Sequence, residues 1–384
     1  MKKIYLDYAA STPIDPRVLK VMNLHLKNNF ANSMSLHLLG QKAATAVEQS
    51  RQKIAQVINT KVEEIIFTSS ATESNNLALK GIAFAAKKRG KDHLIVSLIE
   101  HDCVLESAKW LRSQGFKVSF LSVDKYGLIN LDELKKLIGK NTFLASIIHA
   151  NNEIGTVQDI TSIGRICRER GVYFHTDAAQ SFGREEIDVE KMNIDLLTAS
   201  SHKIYGPKGV ALLYVRKGVI IEPILHGGGH ESGLRSSTLN VPAIVGFAKA
   251  AEIMQKEAEK ENERLKKLRD YMIEQILTQI PRTHLNGHPK KRLANNINIS
   301  FNGVEGESLL IELSFAGIAV STGSACSSKN LMPSHVLMAL GLPPQEAHGS
   351  LRISLGRFTT KDEIDYTIEI LKKIVAKLRA ISPF

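Results

Sequence analysis

The sequence predicts an α/β protein, with a mostly parallel sheet in a large domain and a smaller α+β domain beside it. Three observations carry this reading. Short β-rich apolar runs alternate with longer helical patterns through the first two thirds of the 384 residues, as strands joined by crossover helices do. Near residue 242 the alternation gives way to a long stretch rich in Ala, Glu and Lys. Beyond it, strand-like and helical runs resume in a different order, as expected where a second unit begins. The length agrees, since about 150 residues per domain leaves room for two.

Taken in order, strands are expected at residues 65–69, 94–97, 117–121, 144–149, 172–177, 196–200 and 210–215. Helices are expected between them at 72–89, 104–113 and 160–170. Over 242–280, Ile253, Leu265, Leu268, Met272 and Ile276 recur at three- and four-residue spacing, which makes this a bridging helix. Strands at 296–301, 318–321 and 351–355, with helices at 306–315 and 361–378, build the smaller unit.

Composition excludes several classes. No run of 18 apolar residues is present, so no membrane span is expected. Asp7 falls where a secretory signal would be apolar, and the cytoplasm is the expected location. Lys and Arg (50) exceed Asp and Glu (39) by 11 charges, but the excess is spread along the chain without aromatic interleaving. It reads as a solvated surface or as a face for an acidic partner, and direct nucleic-acid binding is not expected. Cys103, Cys167 and Cys326 are odd in number and form no CxxC pair, so neither a disulfide framework nor a metal site is expected.

The residues with chemical potential follow the predicted strands, where open α/β sheets place ligands. Lys203, in Ser200-Ser201-His202-Lys203, suits a Schiff base with a carbonyl cofactor, or is a surface lysine. Asp177 ends a strand, and a buried acid there needs a cationic or hydrogen-bonding partner such as a pyridinium nitrogen. Thr68 to Ser74 reads as a phosphate cradle or as an ordinary helix cap. His101 is structural or catalytic, Asn151 to Gly155 is at least a turn, and Arg352 is an anion-binding group or a surface ion pair. Cys326 lies among small and polar residues, where a structural cysteine would be buried among apolar ones, so a reactive thiol is favoured.

In order and position these segments match one family. The chain resembles the NifS/IscS-type cysteine desulfurases, pyridoxal-phosphate (PLP) enzymes with the fold type I of PLP-dependent transferases. The match runs through Tyr5-Leu6-Asp7-Tyr8-Ala9-Ala10, Ala71-Thr72-Glu73-Ser74, Glu100-His101, Asn151 to Gly155, Asp177, Ser201-His202-Lys203, His226-Gly227-Gly228-Gly229-His230-Glu231 and Arg352-Ile353-Ser354-Leu355. The resemblance implies a large PLP-binding domain at 13–258 and a small domain made of 1–12 and 259–384. It implies that Lys203 holds pyridoxal 5'-phosphate and moves the substrate Cα proton. Asp177 would pair with the pyridine nitrogen, Gln180 with the ring hydroxyl, and His101 would stack on the ring and serve as acid or base toward the substrate thiol. Ala71, Thr72, Ser200 and His202 would bind the phosphate, with Thr238 supplied by the second subunit of a homodimer. Asn152 and Arg352 would recognise L-cysteine, and Cys326 would take its sulfur as a persulfide for an acceptor in iron–sulfur cluster or thio-cofactor synthesis.

The chain departs from the family pattern in four places, one of them Ser237, which replaces a glycine beside Thr238. Phe30-Ala31-Asn32-Ser33-Met34-Ser35 lacks the family's glycine and proline in a turn expected near the site entrance. Cys103 replaces a small residue two positions after His101, as an inert hydrophobe or a second thiol, and the chain ends at Phe384 without the longer tail by which IscS-type enzymes engage a scaffold. The rival functions are a selenocysteine lyase or other PLP lyase, and a non-catalytic sulfur-transfer partner.

Overall fold

The computed structural model describes residues 3–323 and 333–381. Its centre is a seven-stranded sheet in the order Ile65–Thr68, Ala211–Val215, Leu196–Ser200, Tyr173–Asp177, Thr142–Ser146, His93–Ser97 and Lys117–Leu121. Ala211–Val215 runs against both neighbours and the other pairings are parallel. The sheet is therefore mostly parallel, as expected. Four of its strands are buried at every residue, which is why they read as continuous apolar runs and not as alternating ones.

Two elements of the large sheet and its helices depart from expectation by more than two residues or in kind. The strand expected to reach residue 149 ends at Ser146, yet the Ile147 and His149 amides still donate to the His175 and Asp177 carbonyls at 3.0 Å. The helix expected over 72–89 is divided, with a π turn at Leu77–Gly81 between Ala71–Asn76 and Ile82–Lys87. A Cβ on Gly81 would lie 2.5 Å from the Glu222 carbonyl oxygen, so glycine is what lets the neighbouring segment approach this turn.

The helix Val241–Gln279 starts with an Asn240 cap and a proline in its first turn. At 39 residues it is about 58 Å long, enough to serve two cores. Val241, Ile244, Phe247 and Met254 belong to the core under the large sheet, whereas Leu265, Met272 and Ile276 belong to a second. That second core is roofed by the antiparallel strands Ser350–Ser354, Asn296–Phe301 and Thr283–Leu285. Ile4 and Leu6 fill it from the chain start, where Ile4–Tyr5 pairs in parallel with Ile318–Ala319. Among the described residues, no helix is long and apolar enough to cross a membrane.

Candidate active site

Parallel strands deliver their following loops to one edge of the sheet. At that edge a cavity of about 250 Å³ is lined by Ala71, Thr72, His101, Asn152, Asp177, Gln180, His202 and Lys203, with Arg352 reaching in from the second core. Ala9, Ala10, Ser70, Cys103, Ile148 and Ala179 also line it. Ser33 and Met34, from the turn expected near the entrance, lie elsewhere, in a second cavity with His230 and Leu239.

The lysine turn is built by local constraints. Leu196–Ser200 runs into a 3-10 turn at Ser201–Lys203. Tyr205 then adopts φ 66°, a left-handed conformation that needs external support in a bulky residue. Support comes from Thr12, whose Oγ1 accepts from the Tyr205 amide at 2.7 Å and donates to the His202 carbonyl at 2.9 Å. Arg184 donates to the Lys203 carbonyl at 3.0 Å. The Lys203 Nζ donates to the carbonyls of Ala9 at 2.6 Å and Ala10 at 2.9 Å, so the amine sits in the cavity wall and is no surface lysine.

Asp177 is buried at the end of its strand. Its Oδ1 accepts from the Ala179 amide at 2.9 Å and its Oδ2 from Asn75 Nδ2 at 2.7 Å, which fixes the plane of the carboxylate. Gln180 donates to the Ala9 carbonyl at 2.9 Å. Burial, then the nearby Lys203 and Lys208 charges, push His202 down to about 4, so its ring is neutral at physiological pH. Burial pushes Glu100 up to about 8, while its Oε1 accepts from Ser97 Oγ at 2.6 Å and the Ile148 amide at 2.7 Å. Burial thus favours the neutral form of the carboxyl group that precedes His101 in the chain.

Arg352 is 2% exposed. Its guanidinium donates to Asp7 Oδ1 at 2.9 Å and to the Asn152 carbonyl at 3.2 Å, while its buried Nε has no partner among the described residues. A buried guanidinium with a donor left over suits an incoming carboxylate.

Two expected residues are not in this wall. Ser200 is buried at its strand end, and Thr238 is exposed outside the cavity. Its segment is anchored nearby, since Arg235 makes a two-point pair at 2.6 and 3.1 Å with Glu73 in the first turn of Ala71–Asn76. Cys326 lies outside the described residues; after that segment, His335 Nε2 meets the Glu100 carbonyl at 2.9 Å and Ser334 Oγ donates to Glu153. Asn75 and the close partners of Cys103 were not foreseen. One signal existed for Asn75, because it follows Ala71 by four residues and so shares its helix face.

Comparison with known proteins agrees with this geometry. The chain belongs to the aminotransferase class-V family, whose description matches residues 4–367. Within that family it belongs with the cysteine desulfurases. It is 49% identical to "Cysteine desulfurase IscS" of Dictyoglomus turgidum, over all of this chain and 97% of that one. It is 51% identical to the protein of the same name from Methanosarcina thermophila, over all of this chain and 94% of the other. Among solved structures, a "NIFS-LIKE PROTEIN" superposes with TM-score 0.92 at 39% identity, covering 98% of this chain and all of that one. The structure "SspA in complex with cysteine" does so with TM-score 0.82 at 41% identity, covering 93% and 100%.

Proposed function

We propose that this cavity binds pyridoxal 5'-phosphate and takes L-cysteine, releasing L-alanine and leaving the sulfur as a persulfide on Cys326. The reading is supported most by one meeting of groups: the Lys203 amine, the fixed Asp177 carboxylate and the unpaired Nε of Arg352 in a single cavity. The residues fit the cofactor, because an oriented buried acid and a helix start with Ser70, Ala71 and Thr72 line the same cavity. When bound, it supplies an electron sink that weakens the bonds of an amino acid at Cα and, beyond it, at Cβ.

The chain's own residues do the rest. Asp177 would keep a proton on the pyridine nitrogen, Gln180 would bond the ring hydroxyl, and His101 would lie against the ring. Ala71, Thr72, Ser200 and His202 would hold the phosphate, joined by Thr238 of the partner subunit. Arg352 pairs with the substrate carboxylate beside Asn152. Lys203 takes the proton from Cα and returns one as the product forms. The Cys326 thiolate attacks the substrate sulfur: an S–S bond forms, the Cβ–S bond breaks, and its electron pair stays with the carbon skeleton, which is protonated and leaves as alanine. An acceptor protein for iron–sulfur clusters or thio-cofactors, in the cytoplasm, then receives the sulfur.

The homodimer is part of the same proposal. Phe30, Leu36 and Leu38 are 73%, 90% and 75% exposed, an apolar strip of the kind that marks an interaction surface. Met34 and Leu239 line one cavity, so the strip adjoins the loop that carries Thr238. The division into 13–258 and 1–12 with 259–384 is supported by the separate cores. Incubating the purified chain with pyridoxal phosphate and L-cysteine should give L-alanine together with a persulfide on the peptide containing Cys326. Bound cofactor with no alanine would contradict the proposal.

A further inference from the structure

Cys103 stands where its thiol meets His101 and Asn75, and Asn75 in turn holds Asp177. Its Sγ lies 3.1 Å from His101 Nδ1 and 3.1 Å from Asn75 Nδ2, and Asn75 Nδ2 also donates to Asp177 Oδ2 at 2.7 Å. His101 is the N-cap of the helix Asp102–Ser113, and its Nδ1 accepts from the Cys103 amide at 3.2 Å. A backbone N–H can only donate, so Nδ1 must carry a lone pair there. Asn75 is fully buried, and its amide group is committed as donor to both Asp177 and the sulfur while its Oδ1 has no partner among the described residues. With the sulfur lone pairs facing Asn75, the S–H is left to point at Nδ1.

We propose that Cys103 is a positioning residue that holds the His101 imidazole neutral, with its proton on Nε2. Resting on the proposed placement of His101 against the cofactor, this deepens that reading. The ring meets the substrate as a hydrogen donor, and the first proton it handles in the cavity is given and not taken. The helix start reinforces this, because an imidazolium is disfavoured at the positive end of a helix and a neutral ring can still donate. Among the described residues, the other titratable or charged groups near His101 are Asp102 on its own helix, Glu100 before it, Asp177, Lys203 and Arg352, which line the same cavity, and His335, whose Nδ1 is 3.8 Å from Asp102. The position is not an inert hydrophobe.

The test is nitrogen-15 NMR of the full-length chain with labelled histidine, the His101 signals being assigned by their loss in His101→Gln. The expected spectrum near neutral pH has Nδ1 as an unprotonated acceptor and Nε2 protonated. Cys103→Ala, which keeps the backbone N–H and loses the S–H, should shift the ratio of tautomers about fivefold, the size of one ordinary hydrogen bond. Cys103→Ser should restore it. A protonated Nδ1 in the unaltered chain, or a Cys103→Ala spectrum identical to it, overturns the proposal. Turnover by His101→Ala at the unaltered rate would overturn the functional placement of His101 instead, and the tautomer measurement separates the two.

Discussion

Arg51 and Arg352 are both buried, and each is paired with a carboxylate. Arg51 grips Glu231 at two points, 2.7 and 2.8 Å, donates to the Ile65 carbonyl at 2.7 Å, and turns its Nε to Glu48 at 3.2 Å. Glu231 in turn accepts from the Phe67 amide at 2.6 Å. Arg352 has a one-point contact with Asp7 and an Nε with no partner among the described residues. Burying a charge is costly unless it is paired and hydrogen-bonded. At Arg51 the folded chain meets that cost in full and the pair is architecture; at Arg352, which lines the cavity, one donor is left for what the site binds.

This contrast can be broken in order of effect. Lys203→Ala should lower alanine production by about 10²- to 10⁴-fold, the range for losing a positioned acid or base, and leave urea unfolding nearly unchanged. Comparable turnover in the variant would remove the lysine from the chemistry. Arg51→Met strands the Glu231 charge, and chemical denaturation should show a loss of about 3–5 kcal/mol; a loss below about 1 kcal/mol, the value of an exposed pair, would place the pair among the dispensable ones. Arg352→Gln should raise the KM for L-cysteine about 10- to 100-fold, as one to two charge-assisted bonds are worth, with a smaller change in unfolding than Arg51→Met. An unchanged KM would assign Arg352 to architecture as well.

Glu100 sharpens the same point, since its Oε2 is also without a partner among the described residues. Burial holds its carboxyl at about 8 in the folded chain against 4.5 ordinarily. Between those values the folded state keeps a proton that the unfolded state has lost, so the stability this group contributes is present below about 4.5 and drains away as pH rises through 8. Glu100→Gln should therefore gain on the unaltered chain progressively from about pH 5 to about pH 8 in denaturation midpoints, and parallel pH curves would contradict this. The smallest effect is at Cys167, whose thiol burial pushes up to about 12: alkylation of the native chain at pH 8 should leave it unmodified until the chain unfolds, and rapid labelling would show the core open there.

The sheet was legible because strands covered on both faces are largely apolar, as at Ala211–Val215, and because Asp177 and Lys203 end or follow such runs. Arg352 could be assigned only by resemblance, since a strand arginine bonded to surface acid has the same sequence signature; its role depends on an unpaired Nε that only coordinates reveal. The sequence leaves Cys103 as an inert hydrophobe or a second thiol for the same reason. Its neighbours, Asn75 and His101, come from two helices, and no periodicity in either announces that they meet at one sulfur. The π turn at Leu77–Gly81 was missed because Gly81 packs against Glu222, a contact distant in sequence.

The central claim is that Lys203, among the cavity residues, carries the cofactor. Borohydride reduction of the purified chain loaded with pyridoxal phosphate, followed by digestion and peptide mass spectrometry, tests it directly. The predicted result is a single modified peptide with the pyridoxyl group on Lys203. Modification of another lysine, with Lys203 intact, would contradict the account.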